Sequence, residues 1–332
     1  MKQAWTQEAQ GSLWAVVLAG GAGLRLRPLI ERLYGEPRPK QFASLVGSRS
    51  LLRQTLDRVQ LAVPSDRTVV VGLTDHDGYL VESLDDAPVR AVLLQPEDRE
   101  TGAGVLLAAH WIHARDPHAV VAVFPSDHFI DDDQTLMQHI VDLGEMIEEH
   151  PDWLALLGAS ASEPESDYGW IEPGEIVGWS PAGEPISRVR QFLEKPSPLT
   201  AHACLQKGWL WNTFVFVAKA SLLVDVGSRF LPEVHEPLSH IRPFENTAAA
   251  ADALRTAYRS FPKMGFSRAV LELCPSGLVV SRLPMMSWSD WGTPERVVKS
   301  LRKAGLLPRW FVESDLVGQS GHSAASGRGK GR

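Results

Sequence analysis

The chain reads as an α/β protein, a doubly wound, mostly parallel, Rossmann-like sheet with an antiparallel insertion or lid. Three observations predict this class. Short β-branched runs alternate with helix-spaced segments through the first half of the sequence. A glycine turn follows the first of these runs at once. Each strand-end loop carries an unusual polar motif, and ligands of such sheets sit outside the carboxyl ends of the strands.

The first strand is the apolar run at 14–19, which breaks into Gly20-Gly21-Ala22-Gly23. Glycines so placed let backbone N–H groups converge on an anion. Arg25, Arg27 and Pro28 follow, and then Pro39-Lys40-Gln41-Phe42. Fixed positive charge after a glycine turn suits a triphosphate. The turn is not a dinucleotide fingerprint, because Leu26 stands at the third glycine. Nor is it a P-loop, which needs Gly-Lys-Ser/Thr.

Residues 50–60 have helical spacing, with Leu51, Leu52, Leu56 and Val59 on one face. Strands are predicted at 68–72 and 89–94, a helix at 101–115, and a fully buried strand at 119–124. A helix at 134–149 and a strand at 153–158 continue the alternation. From 162 to 196 the texture changes to Gly, Pro and Glu with short apolar runs, which predicts the antiparallel insertion or lid. A strand at 209–217, two or three helices over 221–258, a strand at 277–283 and a helix at 294–304 close the chain. One folded domain is expected over 12–315. The polar start, 1–11, and the Gly/Ser/basic end, 316–332, are expected to be disordered.

Of 332 residues, 44% are hydrophobic and 22% charged, ordinary values for a globular protein that can bury a core. A net charge of −7 argues against a general nucleic-acid binder, so an anionic ligand must be held by a local basic site. Cys204 and Cys274 lie far apart without a Cys-x-x-Cys motif, so no disulfide framework or thiolate metal site is expected. No run approaches the ~18 apolar residues of a membrane span, and the start lacks a signal peptide's apolar centre. The expected location is cytoplasmic. Most of the tryptophans are read as core or pocket wall.

Other motifs could carry chemistry. Gln95 to Ala103 (QPEDRETGA) joins a strand end to a helix, and by itself is a polar loop with a helix cap. Pro125-Ser126-Asp127-His128 and Trp288-Ser289-Asp290-Trp291-Gly292-Thr293 each place an isolated carboxylate after a strand. Two such carboxylates could converge on Mg²⁺, which takes one or two carboxylates plus substrate phosphates. Without a cation they are expected to repel each other. Asp131, Asp132 and Asp133 read instead as solvated charges at a helix start. Glu194-Lys195, taken alone, is a surface ion pair.

The set G-G-x-G-x-R-L-x-P-L, P-K-Q-F, Q-P…T-G, P-S-D-H, Y-G-W-I-E, F-L-E-K-P, W-N-T-F and W-S-D-W-G resembles, in order, the sugar-1-phosphate nucleotidyltransferases. It is most similar to the mannose-1-phosphate guanylyltransferases and covers most of 14–297. The resemblance implies an enzyme that joins a hexose 1-phosphate, here mannose 1-phosphate, to GTP, giving GDP-mannose and pyrophosphate. It implies nucleotide contacts from Leu18, Ala19, Gly20, Gly21, Gly23, Gln95, Thr101, Gly102 and Asp127. Arg25 and Lys40 would stabilise the leaving pyrophosphate, and Lys195 would hold the sugar phosphate. Gly169, Glu194 and Asn212 would bind the sugar, and Asp127 and Asp290 would share Mg²⁺. No nucleic-acid or membrane partner is implied, and a homodimer is compatible with the resemblance. Two positions depart from the pattern. Leu24 stands where the family usually has Thr, and Phe214 where it usually has Gly, which alters the pocket wall.

A phosphate monoester is mostly dianionic at pH 7, since its second pKa is about 6. No general base is then needed, and His128 is given no catalytic role. The rivals are a nucleotidyltransferase for UTP, dTTP, CTP or another hexose, and a catalytically silent subunit that binds an NDP-sugar. A redox Rossmann protein ranks last.

Overall fold

The computed structural model describes residues 12–241, 247–273, 275–308 and 310–311. The ends expected to be disordered, and Cys274, lie outside the described residues. Cys204 is a buried free thiol, and among the described residues no helix is long and apolar enough to cross a membrane.

The alternation seen in the sequence is β1 (Leu13–Leu18), α1 (Arg27–Tyr34), α2 (Leu51–Val59), β2 (Thr68–Leu73), α3 (Asp77–Leu84), β3 (Ala91–Gln95), α4 (Glu100–His113), β4 (Val120–Pro125), β5 (Phe129–Ile130), α5 (Asp133–Glu149) and β6 (Leu154–Ser160). There follow β7 (Gly169–Trp179), β8 (Pro185–Glu194), α6 (Pro198–Gln206), β9 (Leu210–Lys219), α7 (Ala220–Phe230), α8 (Pro232–His240), α9 (Ala248–Ser260), β10 (Leu278–Arg282), β11 (Trp288–Ser289) and α10 (Pro294–Lys303).

Nine strands form one sheet in the order β3-β2-β1-β4-β9-β6-β10-β8-β7. The first four pair in parallel, with Val16 opposite Val69 and Val123. Strand β9 runs antiparallel between β4 and β6, and β10 returns parallel to β6. Helices cover both faces, so β1 and β2 are apolar and buried along nearly their whole length, as parallel strands with two packed faces must be. One core gathers α4, α7 and α8 on one side, and the other gathers α2 and α5.

The antiparallel expectation for 162–196 holds as the hairpin β7–β8. The hairpin does not lie over the sheet as a lid. Strand β8 pairs with β10, and Trp170 and Ile171 of β7 pair with Trp211 and Leu210 of β9. An exposed hairpin would leave backbone groups unpaired, and the main sheet supplies those partners.

Three helices and one ribbon carry too little sequence signal to be foreseen. Helix α1 buries only Leu29 and Ile30, and Gly35 in the left-handed region ends it. Helices α3 and α6 also bury two residues each. The ribbon β5–β11 has two residues per strand, Trp288 opposite Ile130 and Ser289 opposite Phe129. Such short strands exist only because the tertiary structure brings them together.

His139 on α5 is 1% exposed, and its Nε2 lies 2.9 Å from Ser281 Oγ on β10. Burial lowers its pKa to about 4. Burial, with His235 and His113 nearby, does the same to His110. The unfolded chain therefore binds more protons than the folded one between pH 6.5 and 4, and stability is lost as the pH falls through that window. His139 alone should contribute a loss of about 3 kcal/mol by pH 4. Urea unfolding at pH 7 and pH 4.5 should show this drop, and His139→Gln should flatten the dependence.

Candidate active site

The carboxyl ends of the parallel strands open on a cleft of about 1010 Å³. Leu18, Gly20, Gly21 and Arg25 line it from the β1 loop, Gln95 and Thr101 from the β3–α4 loop, and Asp127 from the end of β4. The opposite wall carries Gly169, Glu194, Lys195 and Asn212, with Asp290 at the same end as Asp127. Ala19, Gly23, Lys40 and Gly102 are not among the lining residues. The sheet thus brings together residues far apart in the sequence.

The glycine loop is held from beneath by Gln41. Its Nε2 donates to the carbonyls of Ala19 and Gly21, each at 2.8 Å. Ala19 N–H donates to Val71 carbonyl, so neither of its backbone groups is free for a ligand. Gly23 has φ +60, and a Cβ there would lie 2.6 Å from Lys40 Cβ. The left-handed backbone favours glycine, and the close approach of Lys40 requires it. Sequence reasoning missed Gln41, although its place beside Lys40 was the available signal.

Lys40 is 4% exposed. Its ammonium is 3.0 Å from Asp127 Oδ2 and also donates to the Asp290 carbonyl. Each of the two carboxylates has a cation of its own, Lys40 for Asp127 and Arg296 for Asp290, which offsets the repulsion expected between them. Asp290 accepts from Tyr168 Oη–H at 2.8 Å and Gly292 N–H at 2.9 Å on Oδ1, and from Arg296 Nη1 at 3.2 Å on both oxygens. Burial alone would raise its pKa, but Arg296 and its other partners hold it below the ordinary carboxylate value. The Tyr168 hydroxyl is pushed well above its usual pKa by burial and by Asp290, so it remains a donor. His128 Nε2 lies 3.8 Å from Asp127 Oδ1, and burial lowers its pKa, which leaves it neutral near pH 7.

Asp131, Asp132 and Asp133 do not reach the cleft. Asp131 accepts from Ser287 N–H, Asp132 caps α5 through Thr135 N–H, and Asp133 pairs with Arg58. Among the described residues no three His, Cys, Asp or Glu side chains group as a metal site. Asp127 and Asp290 are hard oxygen donors next to a loop suited to phosphates. That donor set fits Mg²⁺, which fills its remaining positions with phosphate and water.

At the far end of the cleft Gln95 is 5% exposed, and its Oε1 accepts from Tyr258 Oη–H at 3.2 Å. Thr101 Oγ1 accepts from Phe266 N–H at 2.9 Å, and Gly102 N–H donates to Met264 carbonyl at 3.1 Å. Gly102, expected among the nucleotide contacts, does not line the cleft. Its N–H instead fastens α4 to the 264–266 segment.

On the opposite wall a Cβ at Gly169 would lie 2.8 Å from the Phe192 ring and 2.9 Å from Glu194 Oε2. Glu194 N–H donates to Glu272 Oε1 at 2.7 Å, and burial raises the Glu194 pKa. Asn212 Oδ1 accepts from Phe214 N–H at 3.1 Å. Among the described residues, those other than glycine at positive φ are Glu100, Lys195, Phe214 and Trp291. The first three line the cleft, and Trp291 follows Asp290. Phe214, at φ +59, occupies the position where the resemblance expects Gly, so a bulky residue stands in the left-handed region here. Arg296, on α10, was also missed, since nothing in PERVVKSLRK marks it.

The sequence model of the family described as Nucleotidyl transferase matches residues 14–304. A mannose-1-phosphate guanylyltransferase of Salmonella montevideo is 30% identical over 286 residues, covering 84% of this chain and 58% of that protein. The alginate biosynthesis protein AlgA of Pseudomonas fluorescens is 30% identical over 284 residues, covering 83% of this chain and 56% of its own length. The chain thus spans little more than half of these relatives. A crystal structure from Thermus thermophilus, described as a mannose-1-phosphate geranyltransferase, superposes with a TM-score of 0.71 at 28% identity. The superposition covers 85% of this chain and 76% of that one.

Gln41→Ala should leave two carbonyls under the glycine loop without a donor. The expected loss is about 2–3 kcal/mol of folding stability, measured by urea denaturation, with nucleotide affinity falling in parallel.

Proposed function

Because the chain belongs to the nucleotidyl transferase family, we propose that it joins a sugar 1-phosphate to a nucleoside triphosphate, with mannose 1-phosphate and GTP as the pair and pyrophosphate as the second product. One observation carries this reading. Asp127 and Asp290 meet beside the glycine loop, across Lys40, while Glu194 and Lys195 face the same cleft from the opposite wall.

The wall formed by Gly169, Glu194 and Asn212 receives the sugar, and Lys195 draws its phosphate toward the nucleotide. A phosphate oxygen attacks the α-phosphorus of the triphosphate, and the bond from that phosphorus to the β-phosphate bridging oxygen breaks. The nucleophile is already ionised at neutral pH. The protein's task is in-line positioning and charge stabilisation. Arg25 meets the developing charge on pyrophosphate. Lys40 neutralises Asp127 and fixes the Asp290 loop, so its contribution to the leaving group acts from behind the lining. Asp127 and Asp290 would hold Mg²⁺, which would supply Lewis-acid charge to the phosphates. Gln95 and Thr101 border the nucleobase end.

A pyrophosphate-release screen of nucleoside triphosphates against hexose 1-phosphates should give the highest kcat/KM with GTP and mannose 1-phosphate. Equal or higher turnover with UTP or dTTP would overturn the guanylyl assignment.

Asp127→Asn and Asp290→Asn should each lower kcat by about 10² to 10³, on the order of 3–4 kcal/mol. Replacing Asp131, Asp132 and Asp133 together by Asn should mainly lower stability, since Asp131 holds Ser287 N–H, Asp132 caps α5 and Asp133 pairs with Arg58. A dead triple variant beside active single variants would place the metal elsewhere.

A further inference from the structure

Three cations surround the Asp290 end of the cleft, and they differ in freedom. Lys40 is buried between Asp127 and the Asp290 carbonyl. The Arg296 side chain is 10% exposed and is anchored by Glu165 and Asp290. Its guanidinium also lies 4.5 Å from the centre of the Tyr168 ring. Arg25, by contrast, has a half-exposed side chain. Its Nη1 pairs with Asp167 Oδ2, and its Nη2 is 3.6 Å from Asp290 Oδ2.

Asp167 is not held by Arg25 alone. The same Oδ2 atom lies 3.3 Å from Arg296 Nη2, so the carboxylate sits between two guanidiniums. If Arg25 swings away, Asp167 keeps a partner that is itself fixed by two other carboxylates. The Arg25–Asp167 contact is solvent-exposed on both sides, and such a pair contributes no more than about 1 kcal/mol. The second contact, to Asp290, is the longer one at 3.6 Å, and Asp290 keeps Arg296 when it breaks. Phosphate oxygens offer an arginine stronger, charge-assisted and bidentate contacts. The geometry is that of an exchangeable pair beside two fixed ones.

We propose that Asp167 is the counter-ion that Arg25 exchanges for the pyrophosphate portion of the nucleotide, and that it takes Arg25 back as pyrophosphate leaves. No covalent step involves Asp167. It competes for Arg25, and so weakens binding of any ligand that Arg25 must grip. This inference rests on the role given to Arg25 in the reaction above. A ligand without the leaving group, the NDP-sugar product, does not compete for Arg25 and is unaffected. Asp167 thereby sets the balance between holding the triphosphate and releasing pyrophosphate.

Titration calorimetry on the full chain with Mg²⁺ and no sugar phosphate tests this without turnover. The ligands are GTP, inorganic pyrophosphate and GDP-mannose, and the proteins are the parent, Asp167→Asn, Arg25→Gln and the double variant. Asp167→Asn should bind GTP and pyrophosphate about fivefold tighter, the affinity equivalent of about 1 kcal/mol. GDP-mannose affinity should stay within about twofold. In the Arg25→Gln background the same substitution should change nothing. Unchanged or weaker GTP and pyrophosphate binding overturns the proposal. So does tightening for all three ligands alike, or tightening that persists without Arg25, since either is the effect of removing a nearby negative charge. Asp167→Ser serves as a second variant should the Asn form fail to fold. A parent protein that binds UTP and a UDP-sugar in place of the guanine ligands overturns the guanylyl reading only. The pyrophosphate arm still decides the role of Asp167.

Discussion

The cleft depends on one buried ammonium. Lys40 joins the side chain of Asp127, at the end of a parallel strand, to the backbone of Asp290, far away in sequence. A lysine so buried needs partners that repay its desolvation, and losing one of them leaves an uncompensated charge at a cost of about 3–5 kcal/mol. The loops after β4 and β11 are therefore not independent. The ribbon of Phe129–Ile130 with Trp288–Ser289 ties them a second time through backbone hydrogen bonds. Between them, a charge and a short ladder fix the separation of two carboxylates that would otherwise drift apart.

Around that anchor the site is arranged as buried and exposed charge. Arg296 bridges Asp290, Glu165 and Asp167, and its guanidinium pKa is raised by neighbouring carboxylates even though burial opposes this. Asp290 Oδ1 is occupied by Tyr168 and Gly292, so the carboxylate orientation is set before any ligand arrives. Preorganisation of this kind avoids rearranging dipoles during reaction, which is where electrostatic catalysis gains most. Arg25 is the exposed member of the set, which suits the role proposed for it at the leaving pyrophosphate.

Backbone strain follows the same boundary. Lys195 and Phe214 hold left-handed conformations on the cleft wall, and Trp291 does so next to Asp290. Each costs roughly 1–2 kcal/mol relative to an ordinary conformation. The surrounding sheet fixes them: Lys195 N–H donates to Tyr168 carbonyl, and Phe214 N–H to Asn212 Oδ1. Phe214 also packs edge-on to Phe216, which stacks on Phe266. The ring that stands where the resemblance expects a glycine is thus tied to the core, and it lines the cleft together with Asn212 and Glu194.

The sequence by itself determined the fold class, the order of the long elements and the polar loops that meet at the strand ends. Those signals are local: β-branched runs, helical spacing and glycine turns record what each segment must do with its own backbone and apolar face. The helix-start role of Asp132 was legible for the same reason, since a cap is a short-range hydrogen bond, whereas Asp131 and Asp133 take partners far away in sequence, Ser287 and Arg58. The tertiary structure alone decided that β7–β8 joins the sheet, that two-residue strands form a ribbon, and that Gly102 faces Met264. It alone paired Arg25 with Asp167 and Arg296 with Glu165. Ion pairs between residues so far apart along the chain leave no periodicity and no turn chemistry behind. Charge interacts through space, and only the folded chain sets the distance over which it acts.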